Sequence, residues 1–134
     1  METAIFTVTK WEETPIETTL NHFPINSAKV EYQISGVLEG TATLEYLLYY
    51  LDSNLEDAEK AKSKIAGFLH FEGTYAGKVG AFTASENGMF DQGTLDSPAE
   101  IIHATGELAQ LTGHYNYHFL GHTSELILDF SLPN

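Results

Sequence analysis

The chain of 134 residues contains no cysteine and no arginine, only one tryptophan and four prolines. Without cysteine there can be no disulfide, no thiol nucleophile and no thiolate-ligated metal, a composition that suits a reducing compartment. All six basic residues are lysine, against 19 acidic ones, for a formal net charge of −13. Phosphate recognition favours arginine's planar fork on a basic face, so neither nucleic acid nor an anionic membrane is expected as a partner. No apolar run approaches the roughly 20 residues that span a bilayer, and no basic-then-apolar segment opens the chain. The expectation is a soluble cytoplasmic protein whose acidity supports solubility.

What is present is alternation. Hydrophobic residues make up 43% of the chain, enough for one domain over residues 1–134 with a real core. Residues 3–11 alternate with Ala4, Phe6 and Val8 on one face and threonines, Ile5 and Trp11 on the other, which predicts a first strand. Residues 12–27 hold Pro15, Asn21, Pro24 and Asn26 and read as a long irregular connection. A second strand is expected over residues 28–35 and a third over 38–51, with Gly36 and Gly40 marking a bend or bulge between them. That third strand is apolar on both sides, Leu44, Tyr46, Leu48 and Tyr50 on one and Leu47, Tyr49 and Leu51 on the other. Burial on both faces would follow, the outer one by another subunit, so a homo-oligomer is expected.

Asp52 to Glu59 reads as a loop or one helical turn, followed by a strand over residues 62–73. A tight turn near Gly77 leads to a strand over 79–86. Asn87-Gly88 is the strongest short hairpin signal, with residues 89–95 as its partner strand. A short strand over 99–104 precedes Gly106 and Gly113, which bracket Leu108 and Leu111. Spaced three apart, the two leucines share one side of a single turn and predict an apolar plug. Strands over 114–120 and 124–132 complete about eight, the pattern of an antiparallel barrel or sandwich.

The same region carries a resemblance. Thr105-Gly106, Leu108 and Gly113 resemble the T-G-x-[FL]-x-x-x-x-G signature of the allene oxide cyclase/dirigent barrel superfamily, with Ala104 where a glycine is usual. Val8 to Pro15, Ser35 to Leu47 and Phe71 to Phe82 resemble an uncharacterised bacterial branch of it, a domain family of unknown function. The resemblance implies an all-β fold, an allene oxide cyclase-like antiparallel barrel of about eight strands. It does not carry over the cyclase reaction. The glutamate and asparagine that serve it on the first strand have no counterpart in Phe6-Thr7-Val8-Thr9-Lys10-Trp11.

Candidate sites follow from chemistry. Six histidines are present, but His114 and His118 lie roughly 13 Å apart along a strand. No H-x-H or H-E-x-x-H pattern occurs, so neither a metal nor any other cofactor is expected. Glu12, Glu13, Glu45 and Glu86 are the carboxylates near strand ends or within apolar strands. An inward-facing one would be desolvated and able to move protons. Glu45, beside Thr43, Leu47 and Tyr49, is selected as the catalytic candidate. Trp11, Tyr46, Phe68, Phe82 and Tyr117 are selected as residues lining a cavity for a small, partly apolar ligand. Three functions stay open: a small-molecule-binding barrel, an isomerase- or cyclase-like enzyme using an interior carboxylate, and a structural or interaction module.

Overall fold

In the computed structural model, residues 2–16, 25–51, 62–91, 94–120 and 123–133 are described. They form nine antiparallel strands in one sheet. β1 spans Glu2–Pro15, β2 Ile25–Gly36, β3 Leu38–Tyr50, β4 Lys62–Tyr75 and β5 Lys78–Asp91. β6 is the short Thr94–Asp96, followed by β7 Ala99–Gly106, β8 Thr112–Leu120 and β9 Thr123–Ser131. The sheet order is β4-β3-β2-β1-β9-β8-β7-β5-β6, and β4 also pairs with β5, so eight strands close a hydrogen-bonded ring while β6 flanks β5. Of the antiparallel barrel or sandwich that the alternation allowed, this is the all-β barrel that the resemblance implied. Among the described residues no helix is long and apolar enough to cross a membrane.

Closure sorts the side chains. The even-numbered residues of β2 and β3 point inward: Ala28, Val30, Tyr32 and Ile34, then Ala42, Leu44, Tyr46, Leu48 and Tyr50 are all buried. Ile65, Leu69 and Phe71 of β4, Phe82 and Ala84 of β5, and Leu126 and Leu128 of β9 complete the core. The two-sided burial expected of the third strand is absent within one chain. Leu47 is 52% exposed and its neighbour across the β3–β4 pair, Phe68, 57% exposed.

One barrel end is stoppered as the two glycines predict. Leu108 N–H reaches Thr105 O at 3.3 Å and Leu111 N–H reaches Leu108 O at 2.8 Å, a tight turn that drives both leucines into the core. Leu108 lies over Gly80, where a Cβ would come within 2.9 Å of Leu108 Cγ.

Two readings need correction. β1 runs on to Pro15 and β2 begins at Ile25, paired from Ala4↔Gly36 to Pro15↔Asn26, so residues 12–15 and 25–27 of the expected irregular connection are hairpin arms, and residues 17–24 lie outside the described residues. Pro15 is tolerated because its nitrogen lies on the side of β1 away from β2, where β9 no longer pairs: the next donor to β2 is Ile16 N–H, which reaches Ile25 O at 2.9 Å. Asn87-Gly88 is not a turn: β5 passes straight through it, pairing Asn87 with Ala66 and Gly88 with Ile65. Gly88 is there because β6 crowds it, a Cβ at that position lying 2.0 Å from Asp96 O. The loop or turn expected over Asp52 to Glu59 lies outside the described residues.

Candidate functional site

The half of the barrel opposite the leucine stopper contains a cavity of about 390 Å³. Its wall is built by Phe6, Val8, Trp11 and Glu13 of β1, Tyr32 of β2, Leu48 and Tyr50 of β3, Ser63 and Ile65 of β4, Phe90, Leu95, Phe119 and Ser124. The β1 contribution depends on one irregularity. Val8 pairs with Tyr32 but Lys10 pairs with Glu31, so Thr9 is an extra residue in the ladder, and its Oγ1 donates to Glu31 O at 3.2 Å. A bulge advances the strand by one and exchanges its faces. Phe6 and Val8 face the cavity before it, Trp11 and Glu13 after it.

Glu13 fixes the rim. Its Oε1 accepts from Trp11 Nε1 at 2.8 Å, and its Oε2 accepts from Asn26 Nδ2 at 2.8 Å and from the Tyr50 hydroxyl at 2.7 Å. The indole, 42% exposed, is thereby held against the opening. Burial and then the Glu13 carboxylate push the Tyr50 hydroxyl well above the usual tyrosine range.

Beneath the cavity lies a polar cluster inside the barrel. Glu86, 1% exposed, follows Phe82 and Ala84 on the inner face of β5. Its Oε1 accepts from Tyr46 at 2.6 Å, Tyr117 at 2.9 Å and Ser97 at 3.4 Å. Its Oε2 accepts from Tyr117 at 2.7 Å and from Tyr115. Tyr32, whose ring is part of the cavity wall, donates to the Tyr117 hydroxyl at 3.3 Å. Gly67, opposite Glu86 in the ladder, leaves space for the Tyr46 ring, since a Cβ there would lie 2.8 Å from Tyr46 Cδ1. Burial, followed by charge repulsion from the cluster, holds the hydroxyls of Tyr46, Tyr115 and Tyr117 far above their ordinary value.

Burial also raises the Glu86 carboxyl above its ordinary 4.5, with the bonds from Tyr115, Tyr46, Tyr117 and Ser97 opposing that rise. A carboxyl with a raised folded value binds its proton more tightly in the native state. Its contribution is then complete below the unfolded value and is lost as pH climbs through the folded one. Thermal melts across this range test the sign. The stability of the wild type relative to Glu86→Gln is expected to fall as pH rises above about 4.5. A difference that is flat or grows with pH would show that the hydrogen bonds outweigh burial.

The residues selected from the sequence divide among four places. Trp11 lines the cavity, and Tyr46 and Tyr117 belong to the cluster beneath it. Phe82 is packed in the core, stacked on Phe71 at 5.0 Å between ring centroids. Glu45 and Phe68 are not inside the barrel. They face outward as a cross-strand pair, and with Lys29 and Leu47 they bound a shallow hollow of about 450 Å³ on the outer wall. The alternation that buries Leu44 and Tyr46 necessarily turns Glu45 out, so it cannot be an interior carboxylate. The carboxylate inside is Glu86, which the Asn-Gly turn reading had left at a strand end. His70 also faces outward, with Nδ1 3.1 Å from Thr83 Oγ1 and Nε2 3.3 Å from Glu72 Oε1. Among the described residues no group of three or more histidine, aspartate or glutamate side chains is placed to hold a metal ion.

A family profile described as "Protein of unknown function (DUF3224)" matches residues 2–131. The chain belongs to the DUF3224 family. A crystal structure of a DUF3224 protein of unknown function from Shewanella oneidensis MR-1 is similar to it, with a TM-score of 0.75 at 17% identity. That likeness covers 99% of this chain and 96% of the other, and it is a likeness of fold. No curated protein matches the chain. In this DUF3224 barrel the functional geometry therefore has to be read from the cavity, its rim and the cluster beneath it.

Proposed function

We propose that the barrel binds a small, predominantly apolar molecule in the cavity of the half away from the leucine stopper. The observation that carries this reading is the cavity itself: about 390 Å³, walled mainly by aromatic and aliphatic side chains with a few polar groups at the rim. Small-molecule sites commonly have that size and lining. Trp11 is the sole tryptophan and forms part of the wall, so its emission reports occupancy directly. Titration with phenylbutanol, a neutral apolar probe, is expected to shift Trp11 emission to shorter wavelength in a saturable manner. Filling the cavity with Leu48→Trp should block the accompanying heat of binding in calorimetry. No saturable response in the wild type, up to the solubility limit, to this probe or to its amine and carboxylate analogues would overturn the reading.

A second reading, an isomerase- or cyclase-like enzyme, draws on the interior carboxylate of Glu86. Both of its oxygens are already engaged by tyrosine hydroxyls, and it does not form part of this cavity's wall. Binding is the better-supported function. The third, an interaction module, rests on exposed Leu47 and Phe68, and we propose self-association through that outer face on the same ground. Placement in the allene oxide cyclase-like superfamily and a cytoplasmic location belong to the same proposal. The eight-stranded closure supports the first, and the cysteine-free composition supports the second.

A further inference from the structure

We infer that the cavity selects a cationic ligand, an apolar molecule carrying an amine, rather than a carboxylic acid or a neutral molecule. This rests on the cavity being a binding site and adds the charge of its occupant. Six of the lining residues are aromatic: Phe6, Trp11, Tyr32, Tyr50, Phe90 and Phe119. Among the described residues that line it, Glu13 is the one that carries a charge, and none is a lysine.

The electron-rich face of an aromatic ring attracts an ammonium group, most strongly for tryptophan and most where water is excluded. Glu13 supplies the opposite charge at the rim. A carboxylate offers about four lone-pair sites, and Trp11, Asn26 and Tyr50 occupy three of them. The three donors also hold the carboxylate in place, so a fourth donor meets it without further ordering. An ammonium at the rim completes the set, and its hydrocarbon body fills the apolar interior. A ligand carboxylate would instead face Glu13 and a chain of net charge −13, with no cation among the described lining residues to receive it. That repulsion distinguishes this barrel from a carrier of fatty acids. The overall field also concentrates cations near the opening.

Three probes with one carbon skeleton separate charge from apolar fit: phenylbutylamine, phenylbutanol and phenylbutyrate, each titrated calorimetrically into the full chain at neutral pH. The amine is expected to bind about tenfold more tightly than the alcohol, the scale of one aromatic–cation contact together with a rim carboxylate. The carboxylate should bind more weakly than both. In Glu13→Gln the ratio of amine to alcohol affinity should fall towards one. A measurement on the wild type gives the same information without a substitution. The amine's advantage should shrink as salt is raised, because a half-exposed ion pair is screened and apolar burial is not. Equal affinity of amine and alcohol, or a preference for the carboxylate, overturns the charge assignment and leaves the apolar binding site standing. No heat from any of the three overturns both together.

Discussion

Replacing Glu86 with alanine is expected to lower the unfolding free energy by about 3 kcal/mol or more, a large share of what a domain of this size possesses. The carboxylate is the common acceptor for Tyr46, Tyr115, Tyr117 and Ser97, from β3, β8 and the segment before β7. Removing it strands several buried hydroxyl donors at once, and each unsatisfied buried donor costs about 1–3 kcal/mol unless the site relaxes or admits water. Urea denaturation at neutral pH measures the loss. A companion variant identifies the mechanism. Glu86→Leu combined with Tyr115→Phe removes an acceptor and a donor together and should be more stable than Glu86→Leu alone. If Glu86→Ala costs less than about 1 kcal/mol, the tyrosines find other partners and the cluster is not what locks the barrel interior.

Gly88→Ala is the second large effect, expected at about 3 kcal/mol despite adding a single methyl group. Ordinary overpacking pushes on side chains that can move. Here the added carbon would meet backbone, 2.0 Å from Asp96 O and 2.4 Å from Ser97 Cα. Relief requires lifting β6 and the Ser97-Pro98 corner away from β5, and Ser97 is one of the partners of Glu86. The loss should therefore appear both in the urea midpoint and as faster hydrogen exchange at Ser97, whose N–H donates to Asn116 Oδ1 at 3.0 Å. A substitution tolerated within about 0.5 kcal/mol would mean that β6 does not lie against Gly88 in solution.

The strands were legible in the sequence because a barrel enforces its period of two. The alternation in Val30-Glu31-Tyr32-Gln33-Ile34 and Leu44-Glu45-Tyr46-Leu47-Leu48 is the alternation of burial in β2 and β3. The leucine stopper was legible because glycines frame it. The site was less so, for two physical reasons. At Thr9 one extra residue exchanges the faces of β1, so strict alternation set Trp11 on the face opposite Phe6 and Val8 although all three line the cavity. At Gly88 a glycine demanded by a neighbouring backbone imitates a glycine demanded by a turn. Ending β5 there left Glu86 at a strand end, although it continues the inward series of Phe82 and Ala84. Glu45 then became the attractive carboxylate, although its buried neighbours Leu44 and Tyr46 turn it outward.

The ring closes by pairing β1 with β9, Glu2 opposite Leu128 and Ile5 opposite Glu125. Every neighbouring pair from β1 through β5 joins strands consecutive in the chain. During synthesis those five strands can align as they emerge, whereas the first strand must wait for the last before its other edge is covered. Until then β1 presents unpaired backbone and its inner apolar face to the surroundings, the state in which β proteins are most prone to pair with the wrong neighbour. A net charge of −13 would repel nascent copies from one another during that interval.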